Sequence, residues 1–140
     1  MKHLKNYEEL NEGVKEILIG GLLVLSSIFP ANALSSNSYN HNNDKVEIVE
    51  TKNTISKKEL IKALKKLERE GFRVETGNLP ISMIIKNLKG DNFTIFNASA
   101  QTMGSANAAL SQIVKNNGGK QIVKLFKKTG RSIQAIVIVH

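Results

Sequence analysis

The chain has 140 residues, no cysteine and a formal net charge of +8 at pH 7. Without cysteine it forms neither disulfide bonds nor thiolate metal sites, and its length provides for one small domain with a single core. A basic chain attracts polyanions, a class that includes DNA, RNA and anionic lipid headgroups.

The first twelve residues, MKHLKNYEELNE, form a charged leader that ends before Gly13. Leu10 and Glu12 form a Leu-x-Glu sequence, and Tyr7 and Glu9 precede it. In these residues the leader resembles the capsid-targeting peptide of internal head proteins in T-even-like tailed phages. The resemblance implies packaging with the prohead core, cleavage by the prohead protease after Glu12, and a place in the virion interior. The alternative interpretation is an ordinary amphipathic N-terminus.

Residues 13–33 form an apolar segment, in which ILIGGLLVLSSIF at 17–29 carries no charge. As a helix this run would span about 20 Å, which is short of the roughly 30 Å hydrocarbon core of a bilayer. Its length fits a secretory signal, and Ala31 and Ala33 fit the small-residue positions of a signal-peptidase site. We therefore expect either a signal-like segment cut after Ala33 or, following cleavage after Glu12, a membrane-active segment that contacts a host membrane. A buried core helix is the third interpretation.

Residues 34–43, LSSNSYNHNN, are predicted to be a flexible linker because they are rich in serine and asparagine and lack apolar periodicity. The basic globular domain is then 44–140. It opens with a strand over 45–50, where apolar residues alternate. A helix follows, with a capping box at Ser56 and Glu59 and an end at Gly71, and a second strand covers 72–76.

One of the remaining elements of the domain is ambiguous. Residues 80–90 have the spacing of a helix that Pro80 opens, although a hairpin of 83–88 with 93–98 is the alternative, and 93–98 is a strand in either case. Residues 101–115 predict a helix, and 133–139 an interior strand. In 120–129, the spacing of Ile122, Leu125 and Phe126 favours another helix. The order βαβαβααβ predicts an α+β fold, with helices on a four-stranded sheet that has some parallel pairing.

No catalytic constellation is evident in the chain. The histidines His3, His41 and His140 fall in the leader, the linker and the last position, so we predict no enzyme activity, no metal site and no cofactor. No residue pattern points to a small-molecule substrate.

Basic residues are concentrated near the C-terminus. Five of them are predicted to bind DNA weakly and without sequence preference: Lys120, Lys124, Lys127, Lys128 and Arg131. Two functions remain open. The first is a phage internal head protein that associates with DNA and is ejected into the host. The second is a small binding domain exported to the periplasm or the medium after cleavage behind Ala33.

Overall fold

A computed structural model describes residues 24–74, 80–116, 118 and 120–140 of the chain. Six strands form one sheet: β1 (Leu34–His41), β2 (Asp44–Thr51), β3 (Arg73–Val74), β4 (Thr94–Ala100), β5 (Gln121–Thr129) and β6 (Ser132–Val139). Their order is β1-β2-β4-β6-β5-β3, and every described pair is antiparallel. The helices are α1 (Lys57–Arg69), α2 (Ile81–Lys86) and α3 (Met103–Asn116).

The mixed α+β class is as predicted, but the details of the sheet are not. The described part of the chain has six strands rather than four, no parallel pair, and the element order ββαβαβαββ. The errors come from two segments that were not predicted as strands. Residues 34–43 contain β1, and residues 120–129 contain β5.

Helices cover both faces of the sheet. The face covered by α1, α2 and residues 24–29, here the α1 face, includes Val49, Ile95 and Ile136. The opposite face, here the α3 face, includes Val46, Phe96 and Val137. Because β6 lies inside the sheet and is buried on both sides, its sequence is almost continuously apolar, as predicted for residues 133–139.

The predicted linker is instead the edge strand β1. It pairs with β2 along its whole length, from Leu34 opposite Thr51 to His41 opposite Asp44. Asn42 and Asn43 form the two-residue connection, and both have positive φ angles, of 48° and 65°. Asparagine tolerates this left-handed conformation, which a tight hairpin requires. The polar composition of the segment therefore fits an edge strand and does not indicate a free tether.

The predicted helix over 120–129 is instead the strand β5. It pairs with β6 through a tight turn at Gly130, where φ is 55°. Within β5, Leu125 packs in the core of the α1 face, whereas Phe126 lies on the opposite side of the strand. The helical prediction placed both on one face, and the alternation of the strand separates them.

The end of the apolar segment belongs to the folded domain. Residues 24–26 are helical, and Leu25 and Phe29 lie in the core of the α1 face, with 0% and 8% of their surfaces exposed. A 3-10 turn, Ala31–Ala33, then leads into β1. The domain therefore does not begin at residue 44, and residues 24–33 are not separable from it. The remainder of the apolar segment lies outside the described residues.

Helix α1 confirms the sequence prediction in detail. The Ser56 hydroxyl accepts a hydrogen bond from the Glu59 amide at 3.2 Å, and the Glu59 carboxylate accepts one from the Ser56 amide at 3.3 Å. Leu60, Leu64 and Leu67 are fully buried, and Gly71 ends the helix with a φ of 98°. This conformation explains the glycine at that position.

The elements after α1 agree with the sequence prediction only in part. The strand over 72–76 is described only as the two residues of β3, since 75–79 lie outside the described residues. Pro80 opens α2, so the helix is correct and the hairpin is not, although α2 ends at Lys86 instead of Gly90. Helix α3 and strand β4 lie where the sequence placed them.

Candidate nucleic-acid interface

The five predicted DNA-binding cations do not share one surface. Lys120 immediately precedes β5, and its backbone is hydrogen-bonded to that of His140. Arg131 lies in the turn at the other end of β5. A strand rises about 3.3 Å per residue, so Lys120 and Lys128 are on the order of 26 Å apart along it. As a helix, the same segment would have brought them within about 12 Å.

Lys127 lies on the α1 face, apart from its neighbours in sequence. Its ammonium group is 5.9 Å from the centre of the Phe72 ring, which is a favourable cation–π distance. Its aliphatic stem lies beside Gly71, where a Cβ would be in ordinary van der Waals contact with Lys127 Cε at 3.7 Å. This lysine is therefore partly engaged by the end of α1.

Lys124 and Lys128 lie on the α3 face of β5, with Phe126 between them. Arg73 on β3 is paired directly with Phe126, so its side chain lies on the same face. Lys128 and Arg73 are exposed, whereas Lys124 and Phe126 are half-buried. Arg73 is not among the five predicted DNA-binding residues, because residues distant in the chain become neighbours only through strand pairing.

A second basic surface lies on α1. Four exposed side chains follow one face of the helix at spacings of four, three and four residues: Lys58, Lys62, Lys65 and Arg69. We call this set the α1 stripe. It spans about 16 Å of helix and lies opposite the buried leucines. The sequence contains the helical spacing of these four cations, but the helix was predicted from its apolar positions alone.

The α1 stripe borders a groove of about 280 Å³ that Ile28 closes on one side. Lys66, beside the stripe, donates a hydrogen bond from Nζ to the Ser27 carbonyl at 2.6 Å, and Ser27 donates from Oγ to Glu70 Oε1 at 3.2 Å. These bonds join residues 24–29 to α1. Glu70 accepts one of these hydrogen bonds, and Glu59 accepts one in the capping box. Two carboxylates near the α1 stripe therefore already have local hydrogen-bond partners.

A row of polar residues crosses the α1 face beyond the apolar core. Ser38, Glu47, Ser99, Gln134 and Lys127 are successive cross-strand partners over five strands. The three central members are at most 4% exposed. Gln134 Oε1 accepts a hydrogen bond from the Ser99 hydroxyl and another, at 3.2 Å, from the side-chain nitrogen Nδ2 of Asn97.

Burial raises the pKa of Glu47 from 4.5 to about 7, although the positive charge of Lys45 opposes the shift. Among the described residues, neither Glu47 Oε2 nor Asn97 Oδ1 has a hydrogen-bond partner. The row contains no histidine that would activate Ser99, since His41 is the last residue of β1 and His140 packs edge-on against Phe93.

The described residues hold no group of three or more histidine, aspartate or glutamate side chains that could bind a metal ion. No helix in the described ranges is long and apolar enough to cross a membrane. Of the predicted processing residues, Leu10, Glu12 and Gly13 lie outside the described residues. Ala31 and Ala33 are in the turn before β1, and the Ala33 carbonyl accepts a hydrogen bond from the Lys52 amide at 3.0 Å.

Comparison of the chain with protein-family models, with curated proteins and with solved structures finds no match. The arguments for function therefore come from the residues themselves.

Proposed function

We propose that this protein is an internal head protein of a tailed phage and that it associates with the packaged DNA through its basic surfaces. The observation that carries DNA binding is the α1 stripe, four exposed cations on one helix face. Duplex DNA presents a phosphate charge about every 1.7 Å, so a row about 16 Å long faces several phosphates at once. The contacts are to the backbone and read no base sequence.

The leader supports the location inside the virion. Its Leu10-x-Glu12 sequence has the form that the prohead protease cuts in the family it resembles. We expect the mature protein in purified virions to begin at Gly13, as determined by intact-mass measurement. Glu12→Gln should block the cut, because the carboxylate that the protease prefers is lost. A mature protein that begins at Met1 or at Leu34 would contradict the proposal.

The alternative, an exported binding domain cut after Ala33, is less compatible with the packing. Cleavage there would remove Leu25 and Phe29 from the core of the α1 face. The bond after Ala33 also lies where β1 begins, and the Ala33 carbonyl is already bonded to Lys52. A peptidase would have to act before the domain folds.

The salt dependence of duplex binding tests the role of the α1 stripe. In the triple variant Lys62→Gln, Lys65→Gln, Arg69→Gln, the slope of log affinity against log salt should fall by about 2.7, since each phosphate contact contributes about 0.9. Glutamine preserves helix propensity, so the fold should be retained. Fluorescence anisotropy with a labelled duplex over a range of salt concentrations measures the slope.

A charge-matched control removes three exposed lysines outside the stripe: Lys52, Lys86 and Lys89. The control lowers the net charge equally but leaves the helix face intact. Its slope should stay close to that of the unmodified protein. Equal slopes in the two triple variants would show that net charge alone, and not the stripe, determines binding.

A further inference from the structure

Phe126 lies outside both apolar cores. It is half-buried on the α3 face of β5 and, among the residues that the structure describes, is a member of neither core cluster, whereas its neighbour Leu125 is fully buried in one of them. Its cross-strand partners are Ala135 on β6 and Arg73 on β3. One partner is small and the other is cationic, so neither supplies an apolar cover for the ring.

Helix α3 packs mainly on other strands of the sheet. It packs against β2, β4 and β6, while β5 and β3 follow β6 on the outside of the sheet. Strands are about 4.8 Å apart, so these two continue about 10 Å past β6. The α3 face of β5 and β3 is therefore a strip of sheet beside the helix.

The charged side chains that β3 and β5 place on this strip are cations. Lys124 and Lys128 lie two residues before and after Phe126, each about 6.6 Å along the strand, and Arg73 lies across from it. Arg73 and Lys128 are exposed on either side of the ring. An aromatic ring bordered by exposed cations attracts a ligand that has both a flat apolar face and negative charge.

We propose that this strip, Arg73, Lys124, Phe126 and Lys128, binds single-stranded nucleic acid, with one base stacked on Phe126 and the flanking phosphates on the exposed cations Arg73 and Lys128. Every base has a π face, so such stacking is tolerant of sequence. In a duplex the base faces are covered by neighbouring base pairs, and Phe126 cannot reach one. The proposal deepens the proposed DNA association and rests on it for the biological setting, but its binding surface is separate from the α1 stripe.

A single substitution places a fluorescent probe at position 126. The chain contains no tryptophan, so Phe126→Trp in the full-length protein introduces the sole tryptophan fluorophore. Stacking of a base on the indole should quench its emission when a short oligo-dT or oligo-U is added, and a duplex of the same length should not. Quenching by either oligonucleotide supports the proposal, and the comparison of the two shows whether the strip distinguishes DNA from RNA.

The affinity measurement uses Phe126→Leu, which keeps an apolar side chain but removes the aromatic face. Its affinity for oligo-dT should fall about tenfold, which is within the range for loss of one base–aromatic stack. Its affinity for the duplex should not change. A thermal melt checks that the variant is folded, and Phe126→Trp remains informative if the leucine variant is not.

The outcomes separate the two proposals. If the emission of Phe126→Trp is unchanged by both oligonucleotides while the unmodified protein binds duplex DNA, the strip proposal is overturned and the proposed function stands. If oligo-dT quenches the emission but the triple variant of the α1 stripe binds duplex like the unmodified protein, the strip proposal holds and the role of the stripe fails. An equal loss of duplex and oligo-dT binding in Phe126→Leu would also contradict the strip proposal, because stacking would not then be the cause.

Discussion

Leu25→Ala should strongly destabilise the folded domain, although Leu25 belongs to the segment that looks like a signal peptide. Its side chain is 0% exposed and packs in the core of the α1 face. Truncation of a buried leucine costs about 2 to 5 kcal/mol, from lost burial and from the cavity that remains. Urea unfolding followed by far-UV circular dichroism should therefore show a lower midpoint with an unchanged slope.

Phe29 increases the effect because it lies one turn further along. Its amide donates to the Leu25 carbonyl at 2.8 Å, so the two side chains enter the core from one short segment. Phe29→Ala adds about 3 to 5 kcal/mol, and adjacent sites are not strictly additive. The sum approaches the total of about 5 to 15 kcal/mol that stabilises a typical domain. A chain that begins at Leu34 should thus be largely unfolded.

Met83→Ala is the matched control, because this methionine is 48% exposed and its loss should change the free energy of unfolding by less than about 0.5 kcal/mol. Unfolding of Leu25→Ala at the same urea concentration as the control would contradict the packing of Leu25 in the core. Equal stability of the chains that begin at Leu34 and at Gly13 would contradict it as well.

Three further predictions concern Glu47, the α1 cap and β5. Because the pKa of Glu47 is about 7 in the folded protein and 4.5 ordinarily, the folded state keeps a proton that the unfolded state loses. The free energy of unfolding should therefore fall by at most about 3 kcal/mol as pH rises from about 4.5 to about 7, and urea midpoints across this range should show no such fall for Glu47→Gln. Ser56→Ala removes the acceptor at the start of α1 and should lower stability by about 1 kcal/mol in the same assay, and an unaffected melt would deny the capping box. Leu125→Ala should cost about 2 to 5 kcal/mol, and Phe126→Ala clearly less; equal losses would favour the helix over the strand for β5.

The sequence was sufficient for elements whose signals are local. The α1 helix carries its own start, in the Ser56 and Glu59 capping box, and its own end at Gly71, so few distant contacts are needed to define it. β6 is similar, because a continuous apolar run has few alternatives in a small domain. These are the elements for which local propensity, periodicity and tertiary packing agree.

The sequence was insufficient where tertiary pairing decides. In β5 the spacing of Ile122, Leu125 and Phe126 fits one face of a helix, while Val123 and Leu125 fit alternate positions of a strand. An irregularity in the register between Gln121 and Val123 also obscures the alternation at Ile122. The partner strand β6 follows after a two-residue turn, and hydrogen bonding to it resolves the choice.

The same choice determines which candidate surfaces exist. If β5 were a helix, Phe126 would be buried with Leu125, and Lys124, Lys127 and Lys128 would form one solvated cluster. As a strand, β5 places Val123 and Leu125 on the α1 face, where both side chains belong to the core. Alternation then places Phe126 on the α3 face. Since α3 packs mainly against β2, β4 and β6, the ring lies beside Lys124 and Lys128 on the outer part of the sheet. The aromatic and basic strip is thus a consequence of strand register and helix placement, which explains why composition and spacing gave no indication of it.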